Sequence, residues 1–104
     1  MDNICCYLLV SENTCCTYVG YTINIQKRIL QHNGLKSGGA VATKFNRPWK
    51  LKMKVTNFKS LTQARQLEFQ WKRSNNSRLL KDRETKINEL LTLDKFKDLI
   101  LHHF

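Results

Sequence analysis

Acidic side chains are what this chain has least of. Between Glu12 and Asp82 only Glu68 carries a carboxylate, against fourteen Lys and Arg. The formal net charge of +10 therefore gathers into one basic surface. Such a surface attracts polyanions, and phosphate contacts supply most non-specific nucleic-acid affinity. A merely solvated basic face is the plainer alternative. No strongly basic amphipathic helix with an aromatic face points to a membrane surface. Long apolar runs are missing too: Ile4 to Val10, the longest, is strand-sized and interrupted by Tyr7. No basic-then-apolar leader opens the chain. The expectation is a soluble intracellular protein of the nucleus or cytoplasm, with no membrane partner.

Cysteine is confined to two adjacent pairs, Cys5-Cys6 and Cys15-Cys16. Neighbouring residues on a strand point to opposite faces, so one member of each pair at most could face the other. That leaves too few ligands for a zinc tetrahedron. The pairs read as small buried or half-buried thiols in a reducing compartment, not as disulfides. At 104 residues the chain suits one small domain with a modest core. It shows no internal repeat and no second domain.

What is present is organised around Tyr18-Val19-Gly20-Tyr21-Thr22. This reads as a strand that passes through a glycine step into a short helix. Thr22 or Asn24 can cap that helix, Ile25 and Ile29 give its apolar side, and Gly34 is placed to end it. Arg28 and His32, four residues apart, share a helix face. Ile4 to Val10 reads as a preceding strand, joined through the polar turn Ser11-Glu12-Asn13-Thr14. A four-residue loop there sets Val10 opposite Cys15 and Tyr7 opposite Tyr18. Two phenols, an arginine and a histidine then converge.

Residues 33–47 form a loop rich in Gly, Ser and Lys, either a phosphate-binding segment or a linker. Trp49 to Phe58 alternates, with Trp49, Leu51, Met53 and Val55 on one face and Lys50, Lys52, Lys54 and Thr56 on the other. The lysine row either meets DNA or keeps a sheet face soluble. Ser60-Leu61-Thr62-Gln63 is a capping-box signature. It opens a helix whose stripe is Leu61, Ala64, Leu67 and Trp71, flanked by Glu68, whose plainer reading is a surface glutamate paired with Lys72 or Arg65. After a polar break, Leu79 to Leu91 suggests another helix, and Leu93, Phe96, Leu99 and Ile100 a last one. These pack back on the sheet or mediate association.

Tyr7 and Tyr18 on paired strands, Arg28 and His32 on the next helix and Glu68 on a later one resemble the GIY-YIG nuclease superfamily. The resemblance covers roughly residues 4–73. The second tripeptide stands as Tyr18-Val19-Gly20, while the first is reduced to Cys5-Cys6-Tyr7. The run Gln31-His32-Asn33-Gly34, Gly38-Gly39-Ala40, Thr43 and Arg47-Pro48-Trp49 is most similar to the catalytic subunit of eukaryotic endonucleases selective for branched DNA. That subunit's zinc module is not expected here, since no cysteine follows Cys16.

The resemblance implies an α+β fold, a central three-stranded antiparallel sheet flanked by helices, with extra C-terminal helices. It gives a nuclease core over about residues 3–73 and a helical extension over about residues 77–104. It implies a metal-dependent endonuclease that hydrolyses phosphodiester bonds at flaps, replication forks and Holliday junctions, in repair and recombination. Tyr7, Tyr18, Arg28 and His32 would be catalytic and Glu68 the metal ligand. A lone carboxylate fits one Mg2+ or Mn2+, which keeps waters and takes further oxygens from substrate phosphate. Arg28 would hold the scissile phosphate. Tyr18 or His32 would take the proton from water, with Tyr7 orienting the group. Chemistry alone leans to His32, whose ordinary titration lies near neutrality. Lys27, Lys36, Lys44, Arg47 and Lys72 would contact DNA. Two departures stand out: Tyr21 occupies a position where several branches have Lys, and Asn75 and Asn76 compete for a downstream Asn position. A protein partner or a second copy could meet the C-terminal helices. The alternatives are a standalone repair nuclease with little branch preference, or a DNA-binding module that does not cleave. Retention of Glu68 argues against the latter.

Overall fold

The computed structural model describes residues 3–73 and 77–104. Strands β1 (Cys5–Ser11) and β2 (Thr17–Thr22) form a hairpin, followed by helix α1 (Ile25–His32) and a 3-10 turn at Val41–Thr43. Strand β3 (Trp49–Thr56), helices α2 (Leu61–Lys72) and α3 (Leu80–Leu90), a 3-10 turn at Asp94–Phe96 and strand β4 (Ile100–His103) complete the chain. The sheet is antiparallel throughout, in the order β2-β1-β3-β4. The α+β class and the central antiparallel sheet stand as the sequence implied, with β4 as a fourth strand.

β4 replaces the second half of the last expected helix. Phe96 and Leu99 are buried, and Ile100 to His103 pair with Thr56 to Met53 along the open edge of β3. An apolar run this short is compatible with either period, and a free strand edge decides it. The remaining C-terminal apolar residues divide, with α3 packing on α2. Ile87 and Leu90 join the core, while Leu79, Leu93 and Ile100 stay exposed.

Both sheet faces are covered, which explains why β1 is apolar at nearly every position. On one face Cys6, Leu8, Val19, Met53 and Val55 pack against Ala64, Leu67, Trp71, Ile87 and Phe96. On the other, Cys5, Tyr7, Leu9 and Trp49 meet Ile25 and Ile29 of α1. β3 serves both faces because the register against β1 slips between Leu8 and Leu9. Leu9 faces Leu51 and Leu8 faces Met53, so Lys52 is the extra residue of a bulge. The single apolar face expected for Trp49, Leu51, Met53 and Val55 is thus divided between two cores. Lys52 and Lys54 become half-buried instead of forming a solvated row.

The caps follow the sequence. Asn24 accepts from the Lys27 amide at 3.1 Å, Ser60 accepts from the Gln63 amide at 3.1 Å, and Gly34 closes α1 at φ 79°. At the C-terminus of α2 the buried Arg83 donates through Nη1 to the carbonyls of Trp71 (2.9 Å) and Lys72 (3.0 Å). Helix-end carbonyls lack partners within the helix, so Arg83 satisfies them and fixes the turn carrying Glu68 and Lys72.

All four cysteines are free. Cys5 and Cys6 are buried and Cys16 is half-buried, as expected; Cys15 is exposed.

Candidate active site

The hairpin register differs from the expected one by two residues. Val10 pairs with Thr17, Tyr7 with Gly20 and Leu9 with Tyr18. A slip of two keeps every side chain on its face, so Tyr7 and Tyr18 remain together as diagonal neighbours. Their ring centroids lie 6.4 Å apart, and His32 sits 5.7 Å from the Tyr7 ring and 4.9 Å from that of Tyr18. Gly20 has a specific reason to lack a side chain. A Cβ there would collide with the Tyr7 hydroxyl, which crosses directly over it.

His32 closes α1 and has no solvent-exposed surface. Its Nε2 lies 2.7 Å from the Tyr7 hydroxyl and its Nδ1 lies 2.8 Å from Thr43 Oγ1. Thr43 donates its own hydroxyl hydrogen to the Ala40 carbonyl at 2.8 Å. Thr43 must then accept from His32, which places the imidazole proton on Nδ1 and leaves Nε2 to accept from Tyr7. Burial, followed by the charges of Arg28, Arg47 and Lys72, lowers the His32 pKa to about 4. Burial raises the Tyr7 phenol above its ordinary range, with Arg28 opposing. These features weigh against His32, and for the phenol alternative, as the group that meets water. The imidazole is enclosed, both its nitrogens are engaged, and it stays neutral well below pH 7.

Arg28 is half-buried beside this cluster, and its Nη1 donates to Gly38 O at 2.7 Å and Gln31 Oε1 at 3.0 Å. The first of these bonds pins the glycine-rich loop to α1. Gln31 Nε2 donates to Ser37 O at 3.0 Å, and Gly39 packs against the Gln31 and His32 backbone. Small residues at 38 and 39 are thus required by close approach to the helix. Further on, Arg47 Nε donates to the carbonyls of His32 (2.8 Å) and Thr43 (3.1 Å). Trp49 Nε1 donates to the same Thr43 carbonyl at 3.0 Å. The loop is braced at both ends, and Arg47 is half-buried within the bracing. Lys27, Lys36 and Lys44 are exposed around it.

Glu68 lies on α2, which packs against β1 and β2. Its side chain is 18% exposed, and Oε2 is 3.8 Å from Lys72 Nζ. The same ammonium stands 5.1 Å from the centroid of the Tyr18 ring. Lys72 therefore links the carboxylate to the tyrosine–histidine cluster around the edge of β2. Among the described residues, no group of three or more His, Cys, Asp or Glu side chains could hold a metal. A single half-buried carboxylate fits a hard ion that takes one protein oxygen and keeps waters.

Tyr21 lies on the opposite sheet face, where its hydroxyl accepts from Arg65 Nε at 3.1 Å. A cation is thus held beside the position where a Lys was missed. Asn75 and Asn76 lie outside the described residues. Two contacts were not legible in the sequence, although Thr43 stands in the resembling run and Lys72 lies one helical turn from Glu68. Thr43 partners His32 from eleven residues away, and Lys72 contacts Tyr18 as well as Glu68.

Residues 3–88 match the GIY-YIG catalytic domain. Curated relatives agree. The structure-specific endonuclease subunit slx1 of Pyrenophora tritici-repentis is 40% identical over 90 residues, 83% of this chain and 25% of the relative. The subunit of the same name from Schizosaccharomyces japonicus is 42% identical over 76 residues, 71% of this chain and 28% of the relative. That of Schizosaccharomyces pombe is 40% identical over 81 residues, 75% and 30% respectively. The chain spans about a quarter of the length of these relatives. With the match running across the whole of the tyrosine–histidine–glutamate constellation, the chain belongs to the GIY-YIG family.

Proposed function

We propose that this chain is a metal-dependent DNA endonuclease that hydrolyses phosphodiester bonds at branched DNA, in repair and recombination. The observation that carries the reading is the buried Tyr7–His32–Thr43 hydrogen-bonded chain, set beside Arg28 and Tyr18 in a GIY-YIG domain. A basic surface with one carboxylate at the cluster's edge suits a phosphate substrate. The relatives' designation as structure-specific endonuclease subunits supports a preference for substrate structure.

The residues divide the work as follows. Arg28 meets the scissile phosphate, exchanging its bond to the neutral Gly38 carbonyl for one to an anionic oxygen. Lys27, Lys36, Lys44 and Lys72 contact neighbouring phosphates, and Arg47 holds the loop that presents them. His32 fixes the Tyr7 hydroxyl through Nε2, and this buried pair, with ring centroids 6.4 Å (Tyr7) and 4.9 Å (His32) from that of Tyr18, sets the position of the Tyr18 phenol. Tyr18 is half-buried, and no hydrogen bond engages its hydroxyl among the described residues. It is the half-exposed phenol of the cluster; with its own proton passed to solvent, it takes the water proton as phenolate. Glu68 would hold one Mg2+ or Mn2+, which as a Lewis acid stabilises charge on the phosphate and leaving oxygen.

The test is cleavage of flap, splayed, nicked, four-way and perfect duplex DNA, with magnesium and with chelator. Branched substrates should be cut in preference and only with metal, and binding should weaken steeply with salt. Glu68→Gln should lower the rate at least about a hundredfold, on the order of 3 kcal/mol of transition-state stabilisation. Its unfolding temperature should hardly change. Equal cutting of unbranched duplex at one defined sequence would refute the structure-selective reading. A Glu68→Gln protein of near wild-type rate would remove the metal role.

A further inference from the structure

The position of Lys72 is more specific than a phosphate contact requires. It follows Glu68 by one helical turn, an arrangement that by itself contributes a few tenths of a kcal/mol. Its ammonium, however, leaves the outer face of α2 and lies between the Glu68 carboxylate, at 3.8 Å, and the ring of Tyr18, at 5.1 Å to the centroid. No other ion pair to Glu68 occurs among the described residues. At 3.8 Å the contact is longer than a charge-assisted hydrogen bond of about 2.8 Å. It is an electrostatic pairing that can be given up cheaply.

We propose that Lys72 is a built-in counter-ion for Glu68. It neutralises the carboxylate while the site is free of metal, yields it when a divalent cation binds, and is then available to a DNA phosphate. One lysine thereby couples metal binding to DNA binding. The inference rests on the reading of Glu68 as the metal ligand. Its consequence is that the free protein binds metal more weakly than its carboxylate allows, because one cation must leave before another arrives. Lys72 acts through Glu68 and is a positioning residue.

Mn2+ titration of the full chain without DNA, followed by the electron paramagnetic resonance signal of free Mn2+, tests this independently of cleavage. Lys72→Met keeps the apolar stem over Tyr18 and removes the charge. It should bind Mn2+ about fivefold more tightly, the factor given by losing a competing ion pair worth about 1 kcal/mol. Lys72→Arg keeps the charge and should bind as wild type does. Circular dichroism melts confirm folding, which a side chain 40% exposed should not decide. Unchanged or weaker Mn2+ binding by folded Lys72→Met overturns the proposal. If Glu68→Gln binds Mn2+ as well as wild type does, the metal-ligand reading itself fails, and the counter-ion role with it.

Discussion

Acidification should unfold this protein through His32 before its carboxylates matter. The imidazole titrates near 6.5 in the unfolded chain and at about 4 when folded, because burial and three nearby cations disfavour its charged form. Between those values the unfolded state binds more protons than the folded one, so stability falls as pH falls through the window. Above 6.5 the contribution is fully present. At about 1.4 kcal/mol per unit of pKa, the gap is worth about 3 kcal/mol, a large share of the roughly 5–15 kcal/mol that holds a domain together. Urea unfolding at about pH 7, 5.5 and 4.5 measures it, with His32→Gln as reference to cancel carboxylates common to both proteins. The stability advantage of wild type over the variant should shrink by about 2–3 kcal/mol across that range. Parallel pH curves for the two proteins, or a resonance assigned to the His32 imidazole that titrates near 6.5, would refute the enclosure of His32. The same geometry bears on kinetics. The rate should show no imidazole limb between about pH 6 and 7.5, because a neutral His32 does not titrate there.

Two substitutions probe the geometry of the buried cluster directly. Gly20→Ala places a methyl group against the Tyr7 hydroxyl, at an overpacking cost of about 1–3 kcal/mol. Cleavage and melting temperature should both fall, and a Tyr7–His32 bond that tolerates the methyl with full activity would remove the reason for glycine there. Thr43→Val keeps shape but removes the acceptor for His32 Nδ1–H, leaving a buried donor unmade at about 1–3 kcal/mol. Denaturant melts should show that loss, and Thr43→Ser should restore both stability and rate. A valine variant as stable as wild type would show that the imidazole has another partner.

Local features were legible in the sequence because their physics is local. Asn24, Ser60 with Gln63, and Gly34 mark helix ends through bonds spanning three or four residues. Arg28 and His32 share a face by helical periodicity alone. The pairing of Tyr7 with Tyr18 was off by two residues, yet the two stayed on one face because a strand repeats every two. What stayed hidden depends on distant segments. The bulge at Lys52 arises from β1 and β3 meeting out of step, and nothing in the alternation of Trp49 to Thr56 reports it. β4 exists because β3 offers a free edge. The neutrality of His32 follows from Thr43, Arg47 and Tyr7 closing around it from three separate elements. A residue type that titrates near neutrality in solution loses that property once enclosed, and ordinary pKa values do not report the enclosure of His32.

The site is built in two halves that obey opposite rules. Tyr7, His32 and Thr43 form a dry half, where every buried polar side-chain atom of the described residues has a partner. In low dielectric each such bond is strong and directional, so this half can hold a hydroxyl in one orientation but cannot exchange partners. Arg28, Tyr18, Glu68 and Lys72 form a half-exposed rim. Their contacts, a carbonyl at 2.7 Å and an ion pair at 3.8 Å, must be surrendered when phosphate and metal arrive. Water makes that exchange inexpensive, since exposed ion pairs are worth under about 1 kcal/mol. Orientation therefore has to come from the buried half and charge from the rim. Substitutions in the first should cost stability and activity together, whereas those in the second should cost activity alone.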